Sequence, residues 1–281
     1  MNIYLDSIGV IAPGMANWSE AIKTLTGVQA FAIHAPLPDF NVADLPATER
    51  RRAGKSVKLA VDLAAQAMAS AFIDPTLPAA VFASTSGDTE VLTDICAALA
   101  TDDRLISPMR FHNSVHNAAS GYWTIAQQNR QPATAVALHN LTASAGLLEA
   151  AAQVVAENVP VLLVIYDMPF PPPLDAAEPI AAVFGMSFLL QPARTPHSMA
   201  QLSISLSMAE SQTVNVMDNP ELEALRIGVA AARGLPLLAA LASVFSSGLV
   251  SGNVQTVVLE YVSPQVLIIA VQPIISGEPN T

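Results

Sequence analysis

Residues 107–149, SPMRFHNSVHNAASGYWTIAQQNRQPATAVALHNLTASAGLLE, gather His112, Asn113, His116, Asn117, His139 and Asn140 into one stretch of a chain that is otherwise apolar and sparsely charged. Imidazoles and carboxamides can move protons, ligate metal or polarise a carbonyl. His112 and His116 are four residues apart, so a helix would carry both on one face, as metal-binding helices do. Asn113 stands where H-E-x-x-H has its Glu, and no third ligand is in sight, so neither metal nor cofactor is expected. Hydrogen bonding that holds an extended segment accounts better for the cluster, with Asn113 or Asn117 capping the helix that carries Tyr122, Trp123 and Ile125.

Other catalytic templates are missing. There is no G-x-S-x-G elbow, no G-x-G-x-x-G, no obvious carboxylate pair, and the loop 84–88 lacks the phosphate-binding G-x-x-x-x-G-K-[ST]. The single cysteine, Cys96, lies in an expected helix with no His or Asn nearby to activate it, so a buried, inert thiol is expected.

Composition narrows the class. Of 281 residues, 52% are hydrophobic and 12% charged. Many segments must therefore be buried on both sides or lie against a partner, which suits an α/β protein or one half of an obligate complex. A net charge of −11 argues against nucleic acid and anionic membrane as partners. One cysteine excludes an internal disulfide and agrees with a reducing compartment, and the N-terminus lacks the pattern of a signal peptide, so a cytoplasmic location is expected. Residues 234–259 carry no charge, but Pro236 and polar residues including Ser246, Ser247, Gly248, Ser251, Gly252, Asn253 and Gln255 break them into a short helix, a polar loop and a strand, so no membrane span is expected.

The elements that must position the cluster follow in order. A strand over 3–11 ends at Pro13-Gly14, and Asn17 with Glu20 forms a capping box for a short helix stopped by Gly27. A helix over 48–72 places Leu59, Leu63, Ala67 and Ala71 in one stripe. Near its start lie Arg50, Arg51, Arg52, Lys55 and Lys58, five of the chain's 12 basic residues. They form either a landing patch for an acidic partner or a solvated face paired with the chain's own acids, and near a helix N-terminus they oppose its dipole. A strand over 79–83 and a helix to 99 come next. After 107–149, an apolar strand over 159–165 leads to a Pro-rich connection, 169–179, which divides residues 1–168 from 180–275. The second part carries strands over 182–190 and 201–206, helices over 220–232 and 235–245, and a hairpin over 255–262 and 266–271.

The order Ser107-Pro108, Asn117 to Gly121, Thr124-Ile125, a strand of Ala133, Thr134, Ala135, Val136, Ala137 and Leu138, then an elbow and a small-residue helix from Thr142, resembles the ketoacyl synthases. Gly9, Pro13-Gly14, Trp18, Leu25 and Gly27 match the family's opening. The resemblance implies a thiolase-like layered α/β fold (αβαβα) with a shortened C-terminal half. It also implies a nucleophilic cysteine on the elbow, near Asn140, yet His139, Asn140 and Leu141 supply no thiol. The family's His-Gly-Thr-Gly-Thr and Gly-Phe-Gly-Gly motifs are missing, and His197 sits in unrelated surroundings.

A fold of this kind without its cysteine resembles the chain length factors, and the string from Arg110 to Trp123 looks most like those of bacterial aryl polyene clusters. That resemblance implies a non-catalytic subunit paired with a ketosynthase as a heterodimer, in biosynthesis of a polyene, polyketide or fatty-acid type. Met109, Phe111, His112, Val115, His116, Asn117, Ala118, Tyr122 and Trp123 would then wall the acyl tunnel or the interface. The strand from Ala133 to Leu138 would pair across the dimer, and the basic patch would meet an acyl carrier protein. Two other readings stay open. One is a stand-alone decarboxylase or acyltransferase that orients a malonyl thioester with His139 or Asn140; the other is a homodimeric scaffold.

Overall fold

The computed structural model describes residues 1–246 and 254–274. Its strands are β1 (Asn2–Ile11), β2 (Ala79–Ala83), β3 (Ala133–Val136), β4 (Val161–Asp167), β5 (Phe184–Gln191), β6 (Ala200–Met208), β7 (Gln255–Glu260) and β8 (Gln265–Pro273). The helices are α1 (Trp18–Leu25), α2 (Ala47–Arg52), α3 (Lys55–Ala69), α4 (Thr89–Leu99), α5 (Pro108–Asn113), α6 (Ala118–Gln127), α7 (Thr142–Glu157), α8 (Pro220–Gly228) and α9 (Leu235–Ser246).

All eight strands join one sheet in the order β3-β2-β4-β5-β1-β6-β8-β7. β2 pairs in parallel with β3 and β4, and the remaining pairs are antiparallel. β2 and β4 are apolar at nearly every position because helices cover both their faces. One core lies between the sheet and α3 and α6, where Phe82 and Trp123 meet at 6.1 Å. The other holds Leu147 and Val154 of α7, Leu238 and Leu241 of α9, and Leu259 and Ile269 of the C-terminal hairpin. β1 is the seam, pairing with β5 on one side and β6 on the other. This is the thiolase-like layered α/β architecture in shortened form.

Local chemistry explains most boundaries. The Asn17 side chain accepts from Glu20 N–H at 3.0 Å, while the Glu20 carboxylate accepts from Ala16 N–H at 2.9 Å, closing the expected capping box. The expected helix over 48–72 is two helices, because Ala53 and Gly54 turn extended between them. At position 54 the Asp88 carboxylate occupies the space a side chain would need, so glycine fits there. Arg50, Arg51 and Arg52 thus occupy the last turn of α2, where cations favour the dipole rather than oppose it. The α-helix expected over 220–232 stops at Gly228, and a 3-10 turn, Ala230–Gly234, follows. Cys96 is exposed rather than buried, because α4 turns Val91 and Thr93 inward and Cys96 outward.

Among the described residues no helix is long and apolar enough to cross a membrane. α9 spans 12 residues, and the polar loop expected near Ser247–Asn253 lies outside the described residues. The two sheet edges differ. At β7, Val258 N–H donates to Asn215 Oδ1 at 2.7 Å and Val258 C=O accepts from Asn215 N–H at 2.9 Å, so that edge is partly closed. Among the described residues β3 has a neighbour on one side only, and its four residues, Ala133 to Val136, carry no charge.

Two glycines separate packing from propensity. A Cβ at Gly146 in α7 would lie 2.7 Å from Ala83 Cβ, whereas one at Gly121 in α6 would meet nothing within 4 Å. Gly146→Val is expected to destabilise the chain by about 1–3 kcal/mol through overpacking. Gly121→Ala is expected to stabilise it by about 0.5–1 kcal/mol. Urea midpoints of the two variants check the opposite signs.

Candidate functional site

The parallel strands β3, β2 and β4 end side by side, and the segments leaving them build the site. After β3 the chain turns sharply through a 3-10 turn, His139–Leu141, into α7. His139 takes a left-handed φ of 47°, uncommon for a residue with a side chain, so the strained elbow residue is His139 rather than its neighbour Asn140. Thr142 holds the elbow: its hydroxyl donates to His139 C=O at 2.7 Å and accepts from Leu138 N–H at 2.9 Å. The Thr85 hydroxyl stands within 3.2 Å of the same carbonyl.

Beneath the elbow lies a group that the sequence alone did not single out. Asp167, the last residue of β4, is fully buried. One carboxylate oxygen accepts from Thr85 N–H at 2.8 Å and the Ser84 hydroxyl at 3.1 Å, and the other accepts from Ala231 N–H at 2.8 Å. Burial pushes its carboxyl up to about 6, against the opposing pull of the Thr85 and Ala231 N–H donors. The sequence offered one signal, an acid closing the apolar run VLLVIY. Its partners come from distant segments.

His139 itself points outward, with Nε2 3.8 Å from a Glu178 carboxylate oxygen, and Asn140 is exposed. The elbow therefore presents an imidazole and an amide. The nearest hydroxyl, Thr142, is buried and engaged in hydrogen bonds. The chain's single thiol, Cys96, is on α4 and not on the elbow.

The His112/His116 pair does not form a helical ligand face. α5 ends at Asn113, which puts His116 outside it. His116 Nε2 lies 2.7 Å from Ser84 C=O, and a carbonyl only accepts, so Nε2 carries the proton. No group of three or more His, Cys, Asp or Glu suited to a metal occurs among the described residues. Asn113 and Asn117 do not cap α6 through their side chains, although Asn117 occupies the cap position. The Asn113 amide instead donates to Arg52 C=O at 2.9 Å and accepts from the Tyr122 hydroxyl at 3.1 Å.

The apolar residues around them divide. Met109 is 49%, Phe111 64% and Val115 49% exposed, and His112 and Asn117 are exposed beside them, with Ala118 half-buried. Tyr122 and Trp123 are buried; Trp123 packs in the core against Phe82 rather than standing on the exposed face. An open cleft of about 360 Å³ is lined by Glu49, Arg52, Pro108, Met109, His112, Asn113 and Tyr122, so α2 and α5 share one depression. Around it Arg50, Arg51, Arg52 and Lys55 are exposed and Lys58 is half-buried. Arg52 pairs with Glu49 at 3.6 Å and Lys55 with Glu90 at 2.7 Å, so part of the patch answers the chain's own acids. Ala133 to Val136 form the open edge, and Ala137 and Leu138 continue beyond the strand into the elbow.

Residues 18–235 match the family described as beta-ketoacyl synthase, N-terminal domain. Among solved structures, the complex of a ketosynthase with its chain length factor from Xenorhabdus doucetiae superposes with a TM-score of 0.69 at 21% identity, covering 96% of this chain and 99% of that one. The ishigamide ketosynthase/chain length factor gives 0.73 at 14% identity, covering 98% and 100%. A type II polyketide synthase acyl-carrier protein in complex with its ketosynthase bound to the hexaketide gives 0.73 at 11%, covering 97% and 99%. No curated protein sequence matches the chain. At these identities the structures establish the fold.

Asp167 makes stability depend on pH with a defined sign. Its folded-state pKa of about 6 exceeds the ordinary 3.8, so between those values the folded chain holds a proton that the unfolded chain has lost. Stability from this group is therefore greatest below pH 4 and is lost as pH rises through 6, by about 3 kcal/mol. Urea unfolding at pH 4 and pH 7 checks this: the wild type is expected to lose about that much relative to Asp167→Asn, which cannot titrate.

Proposed function

Because the chain belongs to the β-ketoacyl synthase N-terminal-domain family, we propose that it is a non-catalytic chain length factor, the partner subunit of an active ketosynthase in biosynthesis of the aryl polyene or polyketide type. The observation that carries this reading is an elbow with His139 and Asn140 in place of a thiol, following an open, uncharged sheet edge. Thioester exchange needs a nucleophile, and of the two hydroxyls at the elbow Thr142 is buried and engaged while Thr85 donates to the His139 carbonyl.

In this reading β3 adds to the corresponding edge of the ketosynthase, as unpaired strands do, and Met109, Phe111 and Val115 are buried in the heterodimer. A Phe fully removed from water contributes about 1.5–3 kcal/mol, so three such side chains support a stable interface. Met109, with Pro108, His112, Asn113 and Tyr122 around the cleft, ends or bends the partner's acyl tunnel. Each further methylene pressed against that wall forfeits about 0.8 kcal/mol of burial and adds overpacking strain. Length is thus selected without chemistry.

The exposed Arg50 and Arg51 beside the cleft suit an acidic carrier protein that delivers the chain. The division into residues 1–168 and 180–275 joined by 169–179, and a cytoplasmic location, belong to the same proposal; position 275 lies outside the described residues.

Production of the chain with a cognate ketosynthase is expected to yield a one-to-one complex by size exclusion with light scattering. Phe111→Glu is expected to weaken it at least tenfold, since a charge would be buried unpaired. Met109→Ala is expected to keep the complex and shift products to longer chains by mass spectrometry. A particle indifferent to the ketosynthase, or malonyl-carrier-protein decarboxylation by the isolated chain that Asn140→Ala abolishes, would overturn the proposal. Arg50→Glu with Arg51→Glu is expected to slow carrier-protein association, most visibly at low ionic strength in stopped-flow measurements.

A further inference from the structure

The segment 107–117 alternates in what its side chains do. Met109, Phe111 and Val115 face outward, while Arg110, Asn113 and His116 reach back to the body of the protein. Arg110 pairs with Asp94 of α4, but both side chains are about half exposed, and such pairs hold weakly. The other two anchors are of a different kind. Asn113 is 4% exposed and bridges Arg52 C=O to the Tyr122 hydroxyl. His116 donates to Ser84 C=O at 2.7 Å, and its ring lies near Gly87, whose φ of 65° favours glycine there.

Ser84 makes the His116 bond more than local. Its hydroxyl donates to Asp167 and accepts from Gly87 N–H at 3.0 Å, and Asp167 in turn receives Ala231 N–H. One hydrogen-bonded chain therefore runs from the outward-facing segment, through the loop after β2, to the end of β4 and the 3-10 turn before α9. The neighbouring Thr85 ties the same loop to the elbow carbonyl of His139.

We infer that His116 is a positioning residue for partner docking: through Ser84 it fixes residues 107–117 on the rigid ends of β2 and β4, so that Phe111 and Val115 are held ready for the ketosynthase. This inference rests on the partner-subunit reading above. The physical basis is preorganisation. Side chains ordered before association do not charge that ordering to the binding free energy, and a segment competent for only part of the time binds more weakly by that fraction. The cluster of polar residues is then a clamp rather than a reactive centre.

The test uses the full chain and a cognate ketosynthase, with affinities from isothermal titration and amide exchange read over residues 107–117. His116→Ala is expected to weaken association about fivefold to tenfold, the worth of one hydrogen bond. It is also expected to speed exchange in 107–117 while amides of α7 stay protected. His116→Gln, which can still present an N–H to Ser84 C=O, is expected to recover affinity to within about twofold. A His116→Ala chain that binds as the wild type does would overturn the inference and leave the partner reading standing. So would equal losses in His116→Ala and His116→Gln, which would mean that ring packing alone matters. A wild-type chain that does not bind the ketosynthase would overturn both.

Discussion

A carboxylate without water, Asp167, is the constraint around which the site is built. Burial disfavours its charge, and the N–H groups of Thr85 and Ala231 favour it; a pKa of about 6 says that burial wins part of the contest. Near neutral pH the ion is nevertheless retained, because its two oxygens satisfy backbone donors from opposite sides, the loop after β2 and the turn before α9. An apolar residue there would leave both N–H groups without an acceptor, a larger cost than the strained ionisation. Asp167 thus ties the loop after β2 to the turn before α9 at one point, while β1 joins β5 and β6 along a line.

The elbow inherits its shape from that joint. Thr85, held by Asp167, meets the His139 carbonyl, and Thr142 closes the turn from the other side. The turn so held places an imidazole, His139, at its left-handed position. Gly146, pressed on Ala83, seats α7 against β2 and so fixes where the elbow stands.

The surface follows a related logic of unequal edges and faces. Asn215 occupies both backbone groups of Val258 at the β7 edge, whereas β3 ends the sheet at the other side with small, uncharged residues. Free edges are normally blunted by charge or cover, and the β3 edge carries neither charge nor a neighbouring strand among the described residues. In the segment 107–117, Asn113 and His116 turn inward while His112 and Asn117 stay exposed. Exposed apolar groups there are held by buried hydrogen bonds instead of by a core.

Much of this was legible in the residues themselves. Apolar runs placed most strands and the Asn17–Glu20 pattern located α1, because each is a local property of adjacent residues; the missing thiol at residues 139–141 was legible only through the family resemblance, and the segment expected to be extended around His112 contains the helix α5. Other features were decided only by the tertiary structure. The extended backbone at Ala53 and Gly54 ends α2 and turned its arginines from dipole-opposed to dipole-favoured, and Asp88, 34 positions later, is what leaves no room for a side chain at position 54. Cys96 is exposed because of which face α4 turns inward, and Trp123 is a core residue because α6 packs on Phe82. Asp167 and His116 acquired their roles from carbonyls and N–H groups of Ser84, Thr85 and Ala231. Backbone groups carry no signature in a sequence, so only folding reveals which side chains they hold.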